Sequence, residues 1–292
     1  MESKIYVLDT NLPTIYGENI NLERISKVFR ELSEKNKVII STNGWHEQAL
    51  QVCELFGTSK INIISGGGSC FKCHDQPNFE YSGFLNDTDV DLILHLAIAS
   101  YSGIFVKGRK KNDDNSNVLL NYFLNYQDAK EFKSIWKFNF KINNDYVLFE
   151  KELEEIDISE IYVYGNNQNF ATKFLNENNN FNSLIEERHI SGKCFFKDTY
   201  LFNARNVSKH DVISRYLEKL NLSTNDVIYI SLGELENEGL NNYSQIILPR
   251  DADEKIIHSA ALKYDVSKPD QITEILEGNE ITKKAEESTE FM

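Results

Sequence analysis

The chain has 292 residues, of which 41% are hydrophobic and 12% aromatic. That is enough apolar material for two domains, or for one domain with a large insertion, and it excludes a wholly disordered chain. The 31 basic and 45 acidic side chains leave a formal charge of −14, which argues against a broad nucleic-acid or anionic-membrane surface, since both need clustered cations.

Lys4 to Asp9 (KIYVLD) is apolar and β-branched, as a buried parallel strand requires. Asn21 can cap a helix in which Leu22, Ile25, Val28, Phe29 and Leu32 recur at helical spacing. Lys37 to Ser41 reads as the second strand. Trp45 to Phe56 reads as a helix with Ala49, Leu50, Cys53 and Leu55 inward. Ile61 to Ile64 is the third strand, ended by Ser65-Gly66-Gly67-Gly68. The alternation β-α-β-α-β is the signature of a doubly wound parallel sheet.

The middle is less regular. A helix is expected near Val90 to Ala99 and a mobile polar loop at 112–117. Tyr146 to Phe149, Glu160 to Tyr164 and Cys194 to Phe202 are strand candidates, and Asn169 to Asn176 fits a helix. The acidic stretch Glu150 to Asp157 reads as a solvated connector. The α/β rhythm returns with a helix at Ser208 to Leu220, strands at Val227 to Ser231 and Gln245 to Leu248, and helices at Asp253 to Leu262 and Gln271 to Glu277. The expected fold class is therefore α/β, a Rossmann-like core of residues 1–78 and 205–278. An α+β cap is inserted at 79–204, and 279–292 form a disordered tail.

No apolar run reaches the roughly 18 residues of a membrane span, and Met1 to Asp9 has no signal-peptide layout. A cytoplasmic protein is expected, with Cys53, Cys70, Cys73 and Cys194 as free thiols.

In an open α/β sheet, ligands bind at the carboxyl ends of the strands. Asp9, Thr10 and Asn11 follow the first strand, and Ser41, Thr42 and Asn43 the second. Ser208 and Lys209 open a later helix, and Ser231 to Glu234 follow a later strand. An aspartate, a threonine and a lysine in such places suit a phosphoryl group: Asp9 as nucleophile, Thr42 and Lys209 as its holders.

The same residues carry a resemblance. Lys4-Ile-Tyr-Val-Leu-Asp9-Thr-Asn11, Val38-Ile-Ile-Ser-Thr42-Asn43-Gly44, Asn206-Val-Ser-Lys209 and Val227-Ile-Tyr-Ile-Ser231-Leu-Gly-Glu-Leu-Glu236 resemble, in order, the four motifs of the haloacid dehalogenase (HAD) superfamily, Cof-type. The resemblance runs over about residues 4–277 and implies a Mg²⁺-dependent sugar-phosphate or nucleotide phosphatase with a substrate-selecting cap. On the matching positions, Asp9, Asn11, Thr42 and Lys209 are the catalytic set, and Thr42, Asn43 and Lys209 bind phosphate. Asp9 with Glu234 and Glu236 would ligate Mg²⁺.

Two of the chain's departures from that pattern remove groups the chemistry needs. Asn11 stands where the family has an aspartate acting as general acid and base, and an amide exchanges no proton at neutral pH. Leu232 stands at a metal-ligating aspartate position. The resemblance therefore implies a protein whose activity is weak or lost, acting on a small phosphorylated metabolite if active. The alternative is a non-enzymatic binding or regulatory pseudophosphatase with a protein partner.

Other motifs have readings of their own. Val7 to Asn11 (VLDTN) also resembles the opening of PIN-type metal-dependent nucleases. Cys70-Phe-Lys-Cys73-His74 has the haem-attachment spacing and is half a zinc site, but chance placement is the simpler account. Gly66-Gly67-Gly68 can cradle phosphate or simply end a strand. His46 and His210 can line a cleft or face solvent, and Trp45 and Trp136 read as packing residues.

Overall fold

The computed structural model describes residues 4–10, 22–55, 57–123, 130, 141–164, 185–190, 199–204, 207–231, 240–243, 245–249, 262–264 and 273–274. In chain order these form β1 (Ile5–Asp9), α1 (Leu22–Lys35), β2 (Lys37–Ser41), α2 (His46–Leu55), β3 (Ile61–Ser65), a 3-10 turn at Gly66–Gly68, β4 (Cys70–Lys72) and β5 (Phe79–Tyr81). They continue with α3 (Asp87–Ala99), β6 (Gly103–Lys110), β7 (Asp113–Tyr122), β8 (Lys141–Asn143), α4 (Tyr146–Leu153), β9 (Ile156–Tyr164), β10 (Ile185–Ile190) and β11 (Thr199–Ala204). The last are α5 (Lys209–Lys219), β12 (Val227–Ser231), β13 (Gln245–Pro249) and β14 (Leu262–Tyr264). No described helix is long and apolar enough to cross a membrane.

The chain divides into two compact units. The first comprises Met1–Ile40, Leu50–Asn62 and Ser214–Met292, and the second Ser41–Ala49 and Ile63–Ile213.

In the first unit the strands stand in the order β14-β13-β12-β1-β2-β3. The pairs β1/β12, β12/β13 and β13/β14 are parallel. Ile5, Val7, Leu8, Val38, Ile39, Ile40, Ile228, Ile230 and Ile246 are all buried, as continuous apolar runs should be in a sheet covered on both faces. Each such side chain contributes about 1.5–3 kcal/mol by leaving water. Helix α1 turns Val28 and Phe29 inward. Asn62 on β3 meets its hydrogen-bonding need by donating to the Tyr216 hydroxyl at 3.1 Å.

In the second unit the end of β3 pairs antiparallel with β4, and β4 with β5. A separate six-stranded sheet has the order β10-β11-β9-β6-β7-β8. It is antiparallel except for β7/β8. One face carries the apolar core: Ile104 and Val106 of β6, Ile161 and Val163 of β9 and Phe202 of β11, with Val90, Ile93 and Ala97 of α3 and Phe149 and Leu153 of α4. The fold is thus mixed α/β, a central sheet rich in parallel pairs plus a second, mostly antiparallel sheet.

Four local expectations are corrected. Tyr146 to Phe149 is the start of a helix and not a strand. The Asp145 carboxylate accepts from Val147 N and Leu148 N at 3.0 and 3.2 Å. Tyr146, Phe149 and Leu153 then share one face, a period that outweighs the β-propensity of Tyr and Val. The acidic stretch 150–157 is the rest of α4 and the start of β9, not a connector. Residues 113–117 belong to β7, where a tight turn sets Asp113 opposite Lys110. Their polarity suits a strand end that is exposed to solvent. Leu50, expected inward, is 42% exposed, whereas Ala49 and Cys53, one turn apart, are buried.

Residues 169–176, 194–198, 253–261 and 279–292 lie outside the described residues, as does Trp136. Of the expected last helix only 273–274 are described, as helical, and Leu262, expected to end a helix, is the first residue of β14.

Candidate functional site

In the first unit, Asp9 is the last residue of β1 and stands opposite Ser231, the last residue of β12. Both are buried. Tyr229 lies two residues earlier on β12, and its hydroxyl donates to Asp9 Oδ2 at 2.5 Å. The Tyr229 ring is held by stacking on Tyr243 at 4.9 Å. One oxygen of the expected nucleophile is therefore already engaged by a phenol.

In the second unit, a web of backbone bonds joins the other expected groups. The Thr42 hydroxyl accepts from Gly44 N at 2.9 Å. Gly66 N donates to the Gly44 carbonyl at 2.9 Å, and Gly67 N to the Thr42 carbonyl at 3.2 Å. Gly66, Gly67 and Gly68 all have positive φ, at 58°, 64° and 107°, the region glycine enters without a Cβ penalty. A Cβ on Gly68 would lie 2.5 Å from the Ser208 carbonyl carbon and 2.8 Å from Lys209 N. The turn therefore lies directly against the start of α5, where the Ser208 hydroxyl caps by accepting from Asp211 N at 3.0 Å. Thr42, Asn43 and Lys209 are all buried around this turn. Asn11, Leu232, Glu234 and Glu236 lie outside the described residues.

Beside the same turn is a polar group that sequence reasoning missed. Lys107 on β6 stands opposite Glu160 on β9, and Glu160 stands opposite Asn203 on β11. All three alternate with the core residues and so occupy the other face of the sheet, yet each is 0% exposed. The Glu160 carboxylate occupies the space that a Cβ would need at Gly66. Its Oε2 accepts from the Tyr162 hydroxyl at 2.7 Å, and that hydroxyl also lies 3.1 Å from the Asn43 carbonyl. Asn203 Nδ2 donates to the Gly66 carbonyl at 3.1 Å. Glu47, in the first turn of α2, accepts from Asn117 Nδ2 at 2.7 Å through Oε1.

The electrostatics follow from burial. Burial pushes the Lys107 ammonium down, but the acidic groups around it overturn that and hold it above its ordinary value. The acidic groups that raise Lys107 are Cys70, then Glu47 and Glu160, and burial raises the Cys70 thiol itself to about 12. Glu160 is raised by burial, with Lys107 and Tyr162 opposing. His46 is held well below its ordinary value by burial and then by Lys107 and Lys72, so it is neutral.

Trp45 is buried, stacked on Phe105 at 4.1 Å and edge-on to Tyr162 at 5.2 Å, the packing role its sequence suggested. His46 and His210 are buried rather than solvent-facing. The signal in the sequence was a charge inside an apolar strand, Lys107 in GIFVKG and Glu160 in ISEIYVY.

The architecture is that of the HAD-like hydrolases. A HAD-like hydrolase from Bacteroides thetaiotaomicron superposes with a TM-score of 0.72 at 14% identity, covering 94% of this chain and 99% of the other. A HAD-like hydrolase from B. subtilis gives 0.67 at 14%, over 94% and 99%. The HAD subclass IIB sugar phosphatase BT4131 gives 0.66 at 12%, over 94% and 98%. At such identities the likeness defines the fold.

Among relatives by sequence are the uncharacterized protein MG374 of Mycoplasma genitalium and its Mycoplasma pneumoniae homolog. The first is 27% identical over 85% of this chain and 89% of that protein, the second 26% over 80% and 85%. No protein-family profile matches the chain.

The Mg²⁺ implied by the resemblance needs about six oxygens in tight octahedral geometry. The described residues do not supply such a set around Asp9, whose Oδ2 takes the Tyr229 hydrogen bond. Among them, the one group of three potential ligands is Cys73, His74 and Asp75, whose atoms lie within 4.8 Å of one another. Those are consecutive residues with a Cys73 Sγ to Asp75 Oδ1 bond of 2.9 Å, one ligand short of a structural zinc site. Cys53, Cys70 and Cys73 are buried thiols, and Cys194 lies outside the described residues.

Proposed function

We propose that the chain is a HAD-fold phosphoryl-binding protein, derived from a sugar-phosphate or nucleotide phosphatase, whose hydrolytic activity is weak or lost. The observation that carries this reading is the meeting of the Thr42–Gly44 turn and the first residue of α5, Lys209, on the glycine turn Gly66–Gly68. The Thr42 hydroxyl, which accepts from Gly44 N and can still donate, and the start of α5 with the buried Lys209 come together at this turn, and a hydroxyl with an ammonium suits the phosphoryl oxygens of a small metabolite. In the phosphatase reading Asp9 attacks phosphorus, the ester P–O bond breaks, and the departing oxygen must gain a proton. Asn11 cannot provide it, and loss of a general acid costs about 10²–10⁴ in rate. Glu234 and Glu236 are the remaining candidates to replace the carboxylate missing at Leu232, and with them the reading keeps a place for Mg²⁺.

The test is phosphatase assay with and without Mg²⁺ on sugar phosphates, nucleotides and a chromogenic aryl phosphate. Asp9→Asn serves as the contamination control, and Asn11→Asp with Leu232→Asp as the restored protein. Low turnover that disappears in Asp9→Asn and rises at least tenfold in the double variant supports the reading. If the wild type and the double variant both remain at the level of the control, and inorganic phosphate does not bind, the phosphoryl reading is wrong and a protein-binding module takes its place.

A further inference from the structure

Residues 73–78 close the hairpin of β4 and β5, whose last pair is Lys72 opposite Phe79. The chain turns at once: Gln76 N donates to the Cys73 carbonyl at 3.3 Å, and the Lys72 ammonium donates to the Gln76 carbonyl. That ammonium also lies over the Phe79 ring, 5.3 Å from its centroid, which ties the two ends of the loop together. All of these residues belong to the second unit.

The turn changes what neighbouring side chains can reach. In an extended strand Cys73 and His74 would face opposite sides of the sheet. In the turn, Cys73 Sγ, an imidazole nitrogen of His74 and a carboxylate oxygen of Asp75 all lie within 4.8 Å of one another. Cys73 is buried, whereas His74 and Asp75 are exposed, so the cluster has an anchored thiol and an open side. The thiol donates to Asp75 Oδ1 at 2.9 Å. Cys70, the other half of the C-x-x-C spacing, is not part of this cluster: its thiol interacts with Ser65, Lys107 and Glu160.

A thiolate, an imidazole and a carboxylate are the donors of Zn²⁺ and Co²⁺, whereas Mg²⁺ takes oxygen ligands. Zn²⁺ bonds to such donors run about 2.0–2.3 Å, which sets tetrahedral ligand atoms about 3.3–3.8 Å apart. The cluster must therefore close by about 1.5 Å at most, which rotation of two exposed side chains supplies. Thiolate and carboxylate together carry two negative charges, which match a divalent ion.

We propose that Cys73, His74 and Asp75 form a zinc-type metal site that holds one ion per chain, with water in the fourth position. On binding, the Cys73 S–H bond breaks, an Sγ–metal bond forms and the proton leaves to solvent, with no change of oxidation state. The ion takes the place of that proton between Sγ and Oδ1, and so locks the turn that binds it.

The experiment is titration of the full, untagged, reduced chain with Co²⁺, followed by absorbance, with Zn²⁺ and Mg²⁺ as competitors. Thiolate ligation gives a near-ultraviolet charge-transfer band, and tetrahedral geometry gives strong visible d–d bands. Wild type should show both at one Co²⁺ per chain; Zn²⁺ should abolish them and excess Mg²⁺ should not. Cys73→Ser should lose the charge-transfer band. His74→Ala and Asp75→Asn, both at exposed positions, should each weaken Co²⁺ binding about tenfold or more, since even changes behind the ligands cost about 10–100-fold. His74→Cys retains a ligand and should retain the ion. Cys53→Ser and Cys70→Ser, outside the cluster, should leave the bands unchanged. Zn²⁺ should raise the Tm of wild type and not that of Cys73→Ser.

Absence of the bands, or the weak bands of an octahedral ion, overturns the site. So does a charge-transfer band that survives Cys73→Ser, one ion per two chains, or full affinity in either His74→Ala or Asp75→Asn.

Discussion

At Gly68 a single missing methyl group keeps two segments in contact. Its φ of 107° and the Ser208 carbonyl carbon, which would be 2.5 Å from a Cβ, leave no room for one. Gly68→Ala should cost about 2 kcal/mol or more, from left-handed strain and displaced backbone. A lowered Tm with weakened phosphate binding is the expected result, because the displaced backbone is that of Lys209.

His46 makes a second residue-scale prediction. Burial, Lys107 from β6 and Lys72 from β4 keep its folded-state imidazole neutral, while Glu47 is its neighbour on α2. The unfolded chain takes up a proton below its ordinary value of about 6.5, so it binds more protons than the folded chain there. This contribution to stability is therefore complete above about pH 6.5 and falls as pH drops, by up to about 1.4 kcal/mol per pH unit. Urea denaturation at pH 7.5, 6.0 and 5.0 should show that slope, and His46→Gln should flatten it.

Helix α4 shows how an element is decided by its ends and its period. The Asp145 cap satisfies two backbone N–H groups, and Phe149 is buried between Tyr122 and Tyr146, at ring distances of 5.6 and 6.3 Å. Phe149→Ala should destabilise by about 3–5 kcal/mol, and Asp145→Ala by about 1 kcal/mol. Val147→Ser, at a position 71% exposed, should stay within about 0.5 kcal/mol. Denaturant midpoints of the three variants, falling in that order, check the assignment of helix over strand. The aromatic run hid it from propensity reasoning, while the cap and the i, i+3, i+7 spacing were already visible in the sequence. β7 was missed for the opposite reason. Its first half is polar, and only pairing with β6 makes it a strand.

For the whole molecule, the proposed reading makes Asn11 the decisive residue, because it stands where the resemblance expects the acid that protonates the leaving group. Residual turnover by Asp9 should therefore depend strongly on how well the leaving oxygen tolerates negative charge. An aryl phosphate should be cleaved about 10² or more times faster than an alkyl phosphate, and Asn11→Asp should narrow that gap. Rates measured across a series of phosphate esters of graded leaving-group acidity decide it; a flat dependence would show that another group donates the proton.

What the sequence by itself determined was the order of elements from β1 to β3 and from α5 to β13, and the residues at their tips. Asp9, Thr42 and Lys209 were legible because apolar periodicity and capping are local, and the strand end follows directly from them. The partnership of Lys107, Glu160 and Asn203 was decided only by tertiary structure. Those residues come from three strands far apart in the chain, and cross-strand register sets them in one row. Their burial has the same origin: in sequence each is an ordinary polar residue, and only the face it occupies and the turn at Gly66 remove it from water.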